Sequence, residues 1–213
     1  LSLHDKSIVL MRGMSTELYL RYTPLIYFVA FGSDEQRESV VTSIHSLVMI
    51  GQYKGDFCVI TDRDDMSTVL PEGFCGKLHV FKASAQSRIE MWKARYRIGE
   101  LFQIERYQPI LYMDTDVVCN APIDMLLCAV LMSPRLSVGT EDHPGVVMIP
   151  SLYRKSESVG KSFFEHENFF PSQTYGFNSG IIGFSDIEIA RAAFNAVSAI
   201  IDRMICLGNT PGW

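Results

Sequence analysis

An apolar run, Ile110-Leu111-Tyr112-Met113, ends abruptly in Asp114-Thr115-Asp116 before Val117-Val118 resumes the hydrophobic pattern. Strand interiors rarely tolerate two carboxylates one residue apart. Pro109 opens the run, so the segment predicts a buried strand whose extended backbone continues through Asp114 and Asp116 and points both carboxylates to one side. Like charges so close call for a cation. Hard divalent ions prefer oxygen ligands and keep positions open for water or phosphate, so the pattern points to a metal that clamps a diphosphate. The alternative for an isolated Asp-x-Asp is a strand-to-loop corner in which carboxylates cap backbone amides. Its place at the carboxyl end of a hydrophobic strand favours a ligand site, because open α/β sheets bind there.

The flanking elements predict such a sheet. Residues 25–31 form a continuous apolar run suited to a strand buried on both faces, punctuated by Gly32-Ser33-Asp34. Val40, Val41, Ile44, Leu47 and Val48 then recur at helical spacing, with Ser33 or Asp34 as cap and Gly51 as a left-handed stop. Residues 57–60 and 78–81 read as short strands, and residues 86–101 as one helix carrying Arg88, Lys93, Arg95 and Arg97. After the Asp pair, Asp124 caps a short helix with Met125, Leu126, Leu127 and Val130. Residues 139–173 lack sustained periodicity and read as irregular. A strand over residues 175–184 leads into Ser185-Asp186-Ile187-Glu188, a capping-box pattern. Ala190, Ala193, Phe194, Val197, Ile200, Ile201 and Met204 follow along one helical face ending at Gly208. Strands alternating with helices predict an α/β class with a mostly parallel central sheet flanked by helices, Rossmann-like in layout.

Composition narrows the function. A chain of 213 residues with 47% apolar residues supports a core of single-domain size. The formal charge of -5 offers no basic stripe for nucleic acid. No apolar run reaches the ~20 residues that span a bilayer, and the amino terminus lacks a signal-peptide layout. Cys58, Cys75, Cys119, Cys128 and Cys206 are odd in number and widely spaced, which speaks for small core residues in a reducing compartment such as the cytoplasm. A Golgi or ER enzyme separated from its membrane anchor would carry a similar pattern. Leu1 and Trp213 are both expected to be cuts in a longer protein.

The apolar first strand, Leu-Tyr-Met-Asp-Thr-Asp-Val-Val and Phe-Asn-Ser-Gly-Ile-Ile-Gly-Phe, in this order, resemble the metal-dependent retaining glycosyltransferases of family 8, related to glycogenin and to lipopolysaccharide galactosyltransferases. The resemblance runs from about Tyr27 to Phe184. It implies a single GT-A domain over residues 1–213 that binds a nucleoside diphosphate sugar, UDP-linked in that family. On that resemblance Asp114 and Asp116 hold Mn²⁺ or Mg²⁺ against the donor diphosphate, with Thr115 between them. Asn178, Ser179 and Gly180 match the segment beside the donor sugar. Ala30, Phe31, Gly32 and Ser33 match the end of the first strand, where the family holds uridine partly through backbone groups. Arg95 stands where the family often carries a Lys that reaches the donor, with Lys93 and Arg97 as competitors. Glu141 and Asp142 fall where the family places an acidic contact to the sugar.

One departure bears on completeness. The family continues with an Asp-Gln pair and a His-x-x-Gly-x-x-Lys segment whose His completes the metal shell, and neither occurs here. The resemblance thus implies transfer of a glycosyl group, with retention, to an acceptor hydroxyl on a glycan, a lipid-linked sugar or a protein. No nucleophile stands out. A non-catalytic nucleotide-sugar-binding domain or truncated donor-binding core is the second reading. A nucleotidyltransferase is the third, disfavoured because Phe31-Gly32-Ser33-Asp34 lacks a Gly-rich phosphate loop with nearby cations.

Overall fold

The computed structural model describes residues 7–11, 17–140 and 177–208. Six strands form one sheet in the order β5-β4-β3-β6-β8-β7, and β1 (Ser7–Met11) pairs antiparallel with β2 (Glu17–Arg21) as a separate two-stranded sheet. Four strands of the large sheet run parallel: β3 (Leu25–Ala30) lies between β4 (Asp56–Thr61) and β6 (Ile110–Met113), with β5 (Leu78–Lys82) outside β4. Beyond β6, β8 (Phe177–Phe184) and β7 (Ser137–Thr140) pair antiparallel. The chain leaves β3 toward β4 and later returns to β3's other side as β6. The strand order therefore reverses between β3 and β6, and the crevice where α/β sheets bind ligands lies at their carboxyl ends.

Side-chain alternation builds a core on each face. Ile26, Phe28 and Ala30 of β3 pack with Val40, Ile44 and Leu47 of α1 (Asp34–Met49) and with Leu127 and Val130 of α4 (Asp124–Met132). Leu25 and Tyr27 turn to the opposite face, with Tyr112, Ile98 of α3 (Ile98–Leu101), and Ala190 and Phe194 of α5 (Ile187–Cys206). A central strand covered on both sides needs apolar residues throughout, which explains its unbroken run.

The element ends depart from the sequence expectations in instructive ways. Ser33 caps α1 as expected, accepting from the Gln36 amide, but the left-handed residue beyond the helix is Gln52, at φ 55°, and not Gly51. Gly51 is required by crowding, since a Cβ there would stand 2.6 Å from the Leu47 carbonyl and 2.9 Å from Cys119 Sγ. Asp124 begins α4 without capping it, and its carboxylate instead accepts from the Tyr22 hydroxyl at 3.0 Å. At α5 the cap is Asp186, which accepts from the Glu188 and Ile189 amides, while the Ser185 hydroxyl donates to the Ser133 carbonyl. The single helix expected over residues 86–101 is three pieces: α2 (Arg88–Ala94), a 3₁₀ turn at Arg95–Arg97, and α3. The Tyr27 hydroxyl donates to the Arg95 carbonyl at 2.8 Å, a competing partner for a carbonyl that regular α-helix would offer to residue 99.

β7 has no counterpart in the sequence reading, because four residues including a glycine carry no periodic signal. Most of the stretch read as irregular, residues 141–173, lies outside the described residues, as do Tyr175 and Gly176. Among the described residues no helix is long and apolar enough to cross a membrane. All five cysteines are free thiols.

Candidate active site

The carboxyl ends of β3, β4 and β6 converge on the crevice. β6 ends at Met113, and the Val117 amide donates to the Asp114 carbonyl at 3.2 Å, so Asp114 to Val117 is a turn. This corrects the expectation that an extended backbone carries both carboxylates on one side. The turn separates their environments: Asp114 is half-buried and Asp116 is exposed. Helix α1 holds the turn from below. The buried Ser43 hydroxyl faces the carbonyls of Thr115, at 2.9 Å, and of Val117. Ser46 Oγ accepts from the Cys119 amide at 2.9 Å, and Thr115 Oγ1 donates to Gln36 Oε1 at 3.1 Å. These partners were missed in the sequence; the signal was Ser43 and Ser46 interrupting the apolar face of α1.

Asp114 is also fixed from the opposite face of the sheet. Its amide donates to the Gly180 carbonyl at 2.7 Å, joining it to β8. Its Oδ1 accepts from the Tyr112 hydroxyl and lies 3.4 Å from Arg95 Nη1. Arg95 lies over the Tyr112 ring, 4.9 Å from its centroid, and its Nη1 stands 3.4 Å from Ser179 Oγ and 3.5 Å from the Ser179 carbonyl. The Tyr27 and Tyr112 rings lie 5.2 Å apart beneath this cluster. Burial pushes both phenols well above their ordinary pKa; the Arg95 charge opposes this, and Asp114 adds to it at Tyr112. Tyr112 is thus a neutral donor at any physiological pH. Of the three cations considered, Lys93 is engaged with Asp202 at 2.6 Å and Arg97 with Glu100 at 2.9 Å, which leaves Arg95 as the one at the Asp turn.

The loop after β3 completes the crevice. Gly32 adopts φ +84°, a conformation L side chains rarely take, although a Cβ would meet nothing within 4 Å. Its amide donates to Asp62 Oδ1 at 3.0 Å, and its carbonyl accepts from Arg63 Nη1 at 2.7 Å. Arg63 is itself braced by Asp34 and Asp65. The hydrogen bonds from Arg63 outweigh the opposing desolvation and, with its charge, lower the Asp65 carboxyl to about 2. Both backbone groups of Gly32 thus already have protein partners; of the other expected contacts, Ala30 is paired with Thr61 of β4, the Ser33 carbonyl accepts from the Arg37 amide at 3.4 Å, and Phe31 is buried between them. Asp62 and Arg63 were not singled out in the sequence; a second strand, β4, ending in a carboxylate was the available signal.

Asn178 lies in β8, opposite Gly139 of β7. Glu141 and Asp142 lie outside the described residues. Among the described residues no group of three Asp, Glu, His or Cys side chains converges to hold a metal ion. Asp114 and Asp116 remain a fitting pair of hard oxygen donors, on a turn open to solvent at Asp116. A cavity of about 140 Å³ between α3 and α5, lined by Tyr96, Gly99, Arg191 and Phe194 among others, includes none of the candidate donor-binding residues.

No family model matches the sequence, and no curated protein matches it. Solved structures do. The galactosyltransferase LgtC, in complex with donor and acceptor sugar analogues, superimposes with a TM-score of 0.59 at 15% identity over 84% of this chain and 64% of that one. A structure of an active-site mutant of LgtC matches with a TM-score of 0.59 at 14% identity, again over 84% and 64%. The chain thus spans 64% of the length of these galactosyltransferase structures. At such identity the likeness speaks to architecture: this protein has the GT-A fold found in the family 8 galactosyltransferase LgtC.

Proposed function

We propose that this chain, as a single domain over residues 1–213, is the donor-binding core of a retaining glycosyltransferase. Its donor is a nucleoside diphosphate sugar, UDP-linked, and its acceptor is a hydroxyl on a glycan, a lipid-linked sugar or a protein. The observation that carries this reading is the meeting of α1, the Asp114 turn and the Ser179-Gly180 segment at the switch point of a GT-A sheet, with Arg95 between the last two. The likeness to a galactosyltransferase crystallised with donor and acceptor sugar analogues supports the substrate class.

Asp114 and Asp116 would hold Mn²⁺ or Mg²⁺, which when bound offsets charge on the departing diphosphate and so needs no protein proton donor. The protein's own residues orient and bind. Tyr112 fixes the Asp114 carboxylate, Ser43 fixes the turn, and Ser179 and Asn178 offer hydroxyl and amide groups to sugar hydroxyls, with Gly180 permitting close approach. The test is calorimetric titration of UDP, then a panel of UDP-sugars, with Mn²⁺ and again with EDTA. Binding that needs the metal and disappears in Asp114→Asn supports the reading; affinity indifferent to chelator and to Asp114→Asn overturns the metal assignment.

A second reading is a nucleotide-sugar-binding core without catalysis, which shares the donor site. Release of free sugar or its transfer from bound donor separates the two readings.

A further inference from the structure

Arg95 is held in an unusual way for a largely buried cation. Its side chain is 14% exposed, and Asp114, its carboxylate partner, is 34% exposed. The distances from Nη1 to Asp114, Ser179 Oγ and the Ser179 carbonyl are 3.4, 3.4 and 3.5 Å. Charge-assisted N–H···O⁻ bonds normally close to about 2.7–2.9 Å. Its Nε is buried with no acceptor at all. The guanidinium is therefore placed by stacking on Tyr112 and by charge, and the hydrogen-bonding capacity of its planar fork is poorly used. At the same time it faces the carboxylate oxygen that the Tyr112 hydroxyl also engages.

Two cations cannot share Asp114 without cost. With Arg95 alone the carboxylate is neutralised. Adding a divalent ion there sets like charges close together in a half-buried site, and the repulsion is relieved when a polyanion supplies oxygens to both. We infer that Arg95 is a resident counter-ion of Asp114 that couples the two halves of donor binding: it weakens divalent-ion binding to the empty site and strengthens it once a diphosphate is present. Arg95 turns its unmet N–H groups to the diphosphate and gives up its hold on Asp114. The inference rests on the proposed metal and diphosphate site and adds a coupling between its two ligands. By reciprocity the ion tightens diphosphate binding by the same factor as the diphosphate tightens the ion.

The test is Mn²⁺ binding followed by the paramagnetic resonance signal of the free ion, with and without saturating UDP, in the wild-type chain, Arg95→Gln and Arg95→Lys. Wild type is expected to bind Mn²⁺ weakly alone and more tightly with UDP. Arg95→Gln should bind Mn²⁺ alone roughly two- to fivefold more tightly, the scale of one partly exposed ion pair, and its UDP enhancement should shrink by at least that factor, leaving only what direct ligation of the ion by the diphosphate supplies. Arg95→Lys keeps the charge without the fork, so its Mn²⁺ affinity alone should stay near wild type while the enhancement shrinks. It decides the charge argument if Arg95→Gln does not melt cooperatively. Arg95→Gln binding Mn²⁺ no more tightly with its enhancement intact, or Arg95→Lys tightening Mn²⁺ binding, overturns the coupling and leaves the site. Wild type binding neither Mn²⁺ nor UDP overturns the site itself.

Discussion

Ser43 gives the most direct check on how the fold presents the Asp turn. Its side chain is fully buried on α1 and its hydroxyl proton is shared between the carbonyls of Thr115 and Val117. Ser43→Ala removes that donor from both carbonyls. One proton makes one hydrogen bond's worth of interaction, and a buried acceptor left unmet costs about 2 kcal/mol. Alanine in mid-helix returns roughly 0.5 kcal/mol through better propensity. The expected net loss is about 1.5 kcal/mol, which for a domain of this size lowers Tm by roughly 3–6 °C. Because the lost bond lies in the turn between Asp114 and Val117, Mn²⁺ affinity should fall as well, read by the same resonance titration. Ser46→Ala is the control: its Oγ serves the Cys119 amide beyond the turn, so it should destabilise with Mn²⁺ affinity kept. A Ser43→Ala protein with wild-type Tm and wild-type Mn²⁺ affinity would refute the idea that α1 holds the Asp114 turn proposed to bind the metal.

Other outcomes follow from packing and charge elsewhere. Gly183→Ala should cost about 1–3 kcal/mol in urea denaturation through overpacking, since the new Cβ would stand 2.5 Å from Val130 Cγ2 and 3.2 Å from Leu111 Cδ1; unchanged stability would mean that α4 is not seated on β8 as described. Gly32→Ala should weaken UDP binding, because φ +84° strains an L residue by roughly 1–2 kcal/mol, although nothing blocks the methyl itself. At the opposite end of the sheet, burial alone would raise the Asp56 carboxyl, but hydrogen bonds from the Tyr107 hydroxyl, the Lys77 amide and His79 outweigh it and hold the group below its ordinary 3.8. A depressed folded pKa stabilises above the unfolded value and is lost as pH falls through the folded one, so this contribution begins to fall as pH drops below 3.8 and is gone only beneath the lowered folded pKa. Tyr107→Phe should therefore narrow the gap between urea midpoints measured at neutral pH and near pH 3; an unaltered gap would show that Tyr107 does not hold Asp56 ionised.

Most of the architecture was legible because burial leaves a periodic trace. The continuous run at residues 25–31, closed by Gly32, has the length and character of a strand covered on both faces, and Val40, Ile44 and Leu47 recur as one stripe of a helix. Cap chemistry was less legible, since Ser185 and Asp186 offer the same kind of oxygen and the choice fell to Asp186 once Ser185 found the Ser133 carbonyl. The break at Arg95 was invisible locally: it coincides with a hydrogen bond from Tyr27, 68 residues away. The site divides in the same way. Asp114 and Asp116 declared themselves as charges at a strand end, and likewise Ser179 and Gly180 through their motif. Asp62, Arg63 and Ser43 act through partners distant in the chain, and β7 was too short to signal.

The amino-acid sequence by itself determined which segments are buried, and therefore that strands and helices alternate and that two carboxylates sit where a strand must end. Those properties depend on neighbours within one or two turns of chain. Only the tertiary structure decided that β6 returns beside β3, that the Asp segment turns once Ser43 and Gly180 hold its backbone, and that Arg95 and not Lys93 or Arg97 faces Asp114. Each of those outcomes is a choice among partners that the local sequence offers alike, and it is settled by which elements the closed sheet brings within a few ångströms.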